Sequence, residues 1–309
     1  MAYSQGGLIE ATDYNNIAAN VNTIWGVGAG SNGYGQSTTI SNVSAAGTVS
    51  NTEWQTMITR LDSIRQHQAL SNSGVTKPVA GDTITYTAAI VTLTNSTNGT
   101  IFTNKLAAAT VGTALPTGIG NPQISNATSW ITSAVKEATV TFSNTNTVRY
   151  FFNAGGRVTF YLTMTGGTTT KTTDWASFLT NQVGTITLGN NFCSRSGTGG
   201  DNLTQNTSIG YHQLTTTYQT LFAIGSTSAT ADYGNNSILI EARVNGALYG
   251  ASSNIVSIRC TLTDAAGDTF NDTINGTLGL FIGYTPPETT NLSNVWGTPT
   301  GATVTNTQS

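Results

Sequence analysis

Apolar and polar positions change their period along this chain. Over residues 8–25, Tyr14, Ile17, Ala18, Val21, Ile24 and Trp25 recur three and four positions apart. That spacing collects them on one face of a helix and leaves asparagines on the other. Thr12 reads as the N-cap and Gly26 as the stop. A second amphipathic helix is expected over 51–70, opened by a Thr52-x-x-Gln55 capping box and carrying Trp54, Met57, Ile58, Leu61 and Ile64 on its apolar face. Arg60, Asp62, Arg65 and His67 fall on its other faces. The glycine-rich run over 28–35 between the helices reads as a flexible connector.

Beyond residue 75 the period becomes two. The densest stretch runs from Val148 to Leu162, where two runs rich in aromatic and β-branched residues flank Asn153-Ala154-Gly155-Gly156. Asn and Gly tolerate the left-handed backbone of tight turns, so this reads as a central hairpin with Val158, Phe160 and Leu162 on its inner face. Strand-like segments also begin at Thr83, Thr100, Ala138, Gly184, Thr217, Ser237, Ile255 and Thr277, with turn residues between them. Short helices are expected near 129–135 and 174–181. The expected fold is mainly β, an antiparallel β-sandwich of jelly-roll type with a small α-helical N-terminal module. The expected domains are that module over 1–72, a β-sandwich domain over 73–286 and an extended polar tail over 287–309.

Composition narrows the class. Of the 309 residues only 8 % are charged, against about 25 % in an average soluble domain. Thr, Ser, Asn and Gly supply the polarity instead, a surface suited to long-lived extracellular or virion proteins. The net charge is −3 and the 11 Lys and Arg are scattered, which offers nucleic acid no basic patch. The opening residues carry neither a basic nor an apolar signal region, and no run is long and apolar enough for membrane insertion. Cys193 and Cys260 are expected to be reduced and part-buried.

Catalytic chemistry is hard to assemble from what remains. His67 and His212 have no ligand-spaced partners, and the spacing of Asp264, Asp268 and Asp272 around Gly267 does not fit a calcium loop, so no metal or cofactor is expected. A hairpin turn before the last strand is the better reading of that segment. Asp174, Asp201, Asp232 and Glu241 include no selected pair of the kind a glycosidase needs. Tyr211, Tyr218, Tyr233 and Tyr249 suit either sugar stacking or a subunit interface. The glycines over 28–35 lack the Gly-Lys-Ser/Thr of a phosphate loop.

Three patches carry a resemblance. They are Asp13-Tyr14-Asn15-Asn16-Ile17 running to Trp25-Gly26-Val27-Gly28 and Gly33-Tyr34-Gly35-Gln36, the Trp54 helix ending in Ile64-Arg65-Gln66-His67-Gln68, and Arg149-Tyr-Phe-Phe-Asn-Ala-Gly-Gly-Arg157. Together they resemble structural proteins of tailed bacteriophages, of the cyanophage and marine-phage type, found in tails, fibres or necks. The resemblance implies a non-enzymatic virion component, assembled in the host cytoplasm, whose partners are further copies of itself and other virion proteins. It brings no catalytic residues with it. The competing classes are a host-glycan binder or depolymerase at a tail tip and a capsid decoration protein. Tyr14, Trp25, Tyr34, Trp54 and Met57 are more apolar surface than two helices can hide, and are therefore expected at the interface of an oligomer.

Overall fold

The computed structural model describes residues 9–85, 87–107, 129–228, 234–264, 273–292 and 297–306, with 117–126 and 307–308 as backbone. The protein is mainly β, built on two antiparallel sheets with few helices. It divides into two compact units. One comprises 1–113, 149–155 and 286–296, and the other 114–148, 156–285 and 297–309.

The first unit is helical. Its elements are α1 (Ala11–Trp25), α2 (Asn51–His67), α3 (Ala88–Thr94) and the single turn α4 (Thr100–Thr103). The apolar stripes of α1 and α2 are buried as their periodicity requires, in one core with Ile90, Leu93, Ile101, Ala154 and Leu292. The start of α2 lies two residues before the expected cap. Ser50 Oγ accepts from Glu53 N, and Glu53 Oε2 accepts from Ser50 N at 2.7 Å, a capping box in which both members are stronger than Thr52 and Gln55. Asn15 and Asn22, two turns apart on α1, are not idle polar positions. Each side chain donates to and accepts from one backbone residue, Val43 and Ile40 respectively, at 2.8–2.9 Å. A carboxamide offers the same donor and acceptor pair as a peptide group, so α1 holds residues 40–43 as a neighbouring strand would.

The second unit holds both sheets. The five-stranded sheet has the order β1-β10-β3-β4-β5 and the six-stranded sheet β11-β2-β9-β8-β7-β6. The strands are β1 (Thr117–Asn126), β2 (Ser133–Thr141), β3 (Arg157–Thr165), β4 (Ile186–Leu188), β5 (Cys193–Arg195), β6 (Asp201–Gln205), β7 (Gln219–Gly225), β8 (Ser237–Val244), β9 (Ile255–Thr263), β10 (Thr277–Thr285) and β11 (Gly301–Gln308). Alternation decides which side is buried. On β2, Ala134, Lys136, Ala138 and Val140 are buried while the intervening positions are half-exposed. On β3, Val158, Phe160, Leu162 and Met164 are buried. Helix α6 (Thr170–Ser177) runs on into a π-helical stretch, Phe178–Val183.

The central hairpin is absent. Helix α5 spans Thr145–Asn153, and only the second run, β3, is a strand. Val148, Phe151 and Phe152 are buried at helical spacing. Asn144 Oδ1 accepts from Thr147 N, while Thr147 Oγ1 accepts from Asn144 N, both at 3.0 Å, which caps the helix start. Gly155, at φ 91°, ends α5 in the left-handed conformation, so the glycine signal marks a helix stop instead of a hairpin turn. Instead of pairing with a hairpin partner, β3 lies between β10 and β4.

Other boundaries move as well. The helical unit extends to 113 and takes in 149–155 and 286–296, so the expected division at residue 72 cuts through its core. The expected tail contains β11, paired along its length with β2. Residues 133–135 belong to β2 and not to a short helix, and Thr100–Thr103 is helical and not a strand. The segment from Thr83 has no strand among its described residues. The expected turn over 265–272, with Asp268 and Asp272, and the positions Asp232 and Tyr233 lie outside the described residues.

Candidate functional site

In the helical unit the glycine-rich run is a built loop. Gly28 has φ +44° and Gly33 φ +92°, and a Cβ on either would stand 2.5 Å from a backbone oxygen, so other residues are excluded. Arg149 and Asn153, one turn apart on α5, hold its carbonyls. Arg149 donates to Asn32 O at 2.6 Å and Val27 O at 2.7 Å, and Asn153 Nδ2 donates to Asn32 O and Gly33 O at 3.0 Å. Converging carbonyl oxygens invite a cation, and the guanidinium is that cation.

A second polar cluster joins the end of α2 to residues 286–291. His67 is fully buried, and its Nδ1 stands 2.9 Å from Glu288 Oε1. A carboxylate only accepts, so Nδ1 carries the proton. Glu288 Oε2 also accepts from Thr290 N at 2.6 Å. The His67 bond, reinforced by the bonds from Thr290 and Asn291, outweighs burial and holds the Glu288 carboxyl down at about 2. Beside it, Gln68 Nε2 donates to Tyr34 Oη and to Ile101 O, both at 2.9 Å, and Tyr34 Oη donates to Lys105 O at 2.9 Å. Burial raises the Tyr34 phenol well above its ordinary value.

The surface of this unit carries a groove with two adjoining concavities of about 370 and 240 Å³ that share Asn20 and Ser96. Amide and hydroxyl groups dominate the larger concavity, with Lys105 at one end donating to Asn32 Oδ1 at 2.9 Å, while Ile17 and Val91 line the smaller one. Asp13, at the other end, accepts from Glu10 N through Oδ2, while its buried Oδ1 has no hydrogen-bond partner among the described residues. Such a wall can hold a polar ligand by hydrogen bonds.

The residues expected at an interface are core. Tyr14 is 1 % exposed, Trp54 2 %, and Trp25, Tyr34 and Met57 0 %. The unit's own chain covers them: Trp25 Nε1 donates to Thr38 O at 3.0 Å, Arg60 lies over its ring at 4.9 Å, and α3, α4 and Leu292 complete the core. Two helices could not hide these side chains, but four helical elements and two distant segments share the core. The charges of α2 also serve their own unit, Asp62 accepting from Ser73 and Arg65 donating to Ser71 O and Thr100 Oγ1.

In the β unit, Glu241 is bonded to Arg259 at 2.7 Å, Asp174 Oδ1 accepts from Ser228 Oγ at 2.5 Å, and Asp201 stands exposed on β6. Asp264 contacts Lys171. Tyr211 is buried, Tyr218 lies against Arg243 and Arg259 at 4.4 and 3.9 Å, and Tyr249 is exposed at φ 64° with its hydroxyl 2.6 Å from His212 Nδ1. Burial lowers the Lys136 amine to about 8. Both cysteines are free and buried, with burial raising Cys193 to about 11 and Cys260 to about 12. Among the described residues no group of three His, Cys, Asp or Glu could hold a metal ion, and no helix is long and apolar enough to cross a membrane.

One exposed feature had no signal in the sequence. Strand β6 is an edge of its sheet, and at the register shift between Asn202 and Thr204 it presents Leu203, 64 % exposed. A single leucine in Asp-Asn-Leu-Thr-Gln has no periodic partner to flag it.

No family model matches the chain, and neither a curated protein nor a solved structure matches it.

Proposed function

We propose that the chain is a non-enzymatic structural component of a tailed-phage virion, forming part of a tail, fibre or neck appendage through contacts with copies of itself and with other virion proteins. The observation that carries this reading is the β6 edge, a strand at the rim of its sheet that presents an exposed leucine. Lysine and proline, two common guards of such an edge, are absent from β6. In this reading the two sheets face one another as a jelly-roll-like sandwich, supported by the one-sided burial of β2 and β3. The particle is assembled in the host cytoplasm.

The second reading, a host-glycan binder at a tail tip, draws on the groove around Asn20 and Ser96. A capsid decoration protein is separated from both by its copy number in the particle. Native mass spectrometry of the full chain tests the main reading. A defined homo-oligomer that Leu203→Lys weakens at least tenfold is the expected result. A monomer at all concentrations would contradict it, and a monomer retaining host polysaccharide unless Asn20 is replaced would favour the second reading.

A further inference from the structure

Charge is scarce in this chain, yet one ion pair lies wholly inside the β unit. Lys171 Nζ touches Asp264 Oδ2, and the two side chains are 1 % and 0 % exposed. Lys171 sits in the first turn of α6, and Asp264 directly follows β9, where its N donates to Thr132 O at 2.9 Å. Asp174 is one turn along α6 from Lys171, on the same face. Its Oδ1 accepts from Ser228 Oγ, while its Oδ2 is buried without a hydrogen-bond partner among the described residues. The next residue on that face, Trp175, is fully buried edge-on to Trp130 at 5.1 Å and to Phe178 at 5.5 Å.

Passage of one proton from Lys171 Nζ to the Asp264 carboxylate turns the pair into an amine held against a carboxylic acid, away from water, where contact replaces the encounter that limits acyl transfer in solution. We infer that Lys171 and Asp264 are joined by an intramolecular amide that the folded chain forms on itself, with Asp174 as the proton carrier. The Nζ lone pair attacks Asp264 Cγ, and the Asp174 carboxylate takes the proton that the nitrogen sheds. Asp174 returns that proton to the departing hydroxyl, the C–O bond breaks and water leaves. Amine plus acid gives amide plus water, so no oxidant, cofactor or leaving group beyond water is required. The bond would tie α6 to the end of β9. This inference does not depend on the proposed function.

The test is the intact mass of the denatured full chain, followed by peptide mapping. The expected mass is lower than the sequence mass by one water, about 18 Da. Trypsin should fail to cleave after Lys171, and a branched peptide should contain both Lys171 and Asp264. A full sequence mass, or a mass deficit without that branched peptide, overturns the inference. Asp174→Asn keeps the contacting pair and should restore the full mass in a chain that elutes as the folded parent does. A folded variant that still forms the branch would remove Asp174 from the step. Lys171→Arg should restore the full mass whatever carries the proton, and a persistent deficit would overturn the assignment.

Discussion

At the scale of single residues, what surrounds each ionisable group matters more than its place in the sequence. Glu288 shows this most clearly. An ordinary glutamate titrates near 4.3 in the unfolded chain, whereas here the His67 bond holds it at about 2. A depressed carboxyl contributes stability that is complete above the unfolded value and is lost as pH falls through the folded one. Acid titration monitored by circular dichroism should therefore show a loss between about pH 4.3 and 2. Glu288→Gln should remove that loss and lower stability at pH 7 by about 1–3 kcal/mol. An unchanged acid limb in the variant would refute the assignment. Cys193 and Cys260, expected to be reduced and part-buried, are free, and both are fully buried. With burial holding both thiols protonated, labelling of the native protein at pH 8 should be slowed roughly a hundredfold relative to the unfolded chain, and rapid labelling would contradict it. The helical pattern places His67 off the apolar face of α2, and its burial is explained only by Glu288, a partner far along the chain.

At the scale of elements, long periodic segments were legible and short ambiguous ones were not. Helices α1 and α2, of 15 and 17 residues, follow from long apolar stripes, and strands β8, β9 and β10 from apolar, β-branched runs bounded by turn residues. The run Val148 to Phe152 satisfies both periods, since five residues cannot separate alternation from a helical turn. What decides it lies outside the run: the Asn144 and Thr147 caps before it and the loop carbonyls that Arg149 and Asn153 reach only when they stand one helical turn apart. Thr100–Thr103 and residues 133–135 fail for the same reason of length. Where alternation was read correctly it has an energetic consequence. Phe160 is fully buried, so Phe160→Ala should cost about 3–5 kcal/mol in denaturant unfolding. A loss below about 1 kcal/mol would mean that the site collapses freely around the gap.

At the scale of the whole molecule, the mainly-β class was legible from spacing, but the partition of the chain was not. A linear reading assigns contiguous domains, whereas the helical unit gathers 1–113, 149–155 and 286–296 into one body. No composition shift announces that Leu292 shares a core with Trp25. The consequence for assembly is specific. A truncation at residue 72 would unfold the helical unit by exposing that core, so contacts between copies must be probed with surface changes such as Leu203→Lys. The amides and hydroxyls that replace charge on this protein line the larger concavity and form the α1 clasp on residues 40–43, which is what a low-charge chain has available for specificity. Cryo-electron microscopy of purified particles that encode this chain tests the central claim most directly. The account predicts density for repeated, symmetry-related copies in a tail, fibre or neck appendage, with β6 and Leu203 at a boundary between subunits. Particles that lack the chain, or copies whose β6 edges face open solvent, would contradict it.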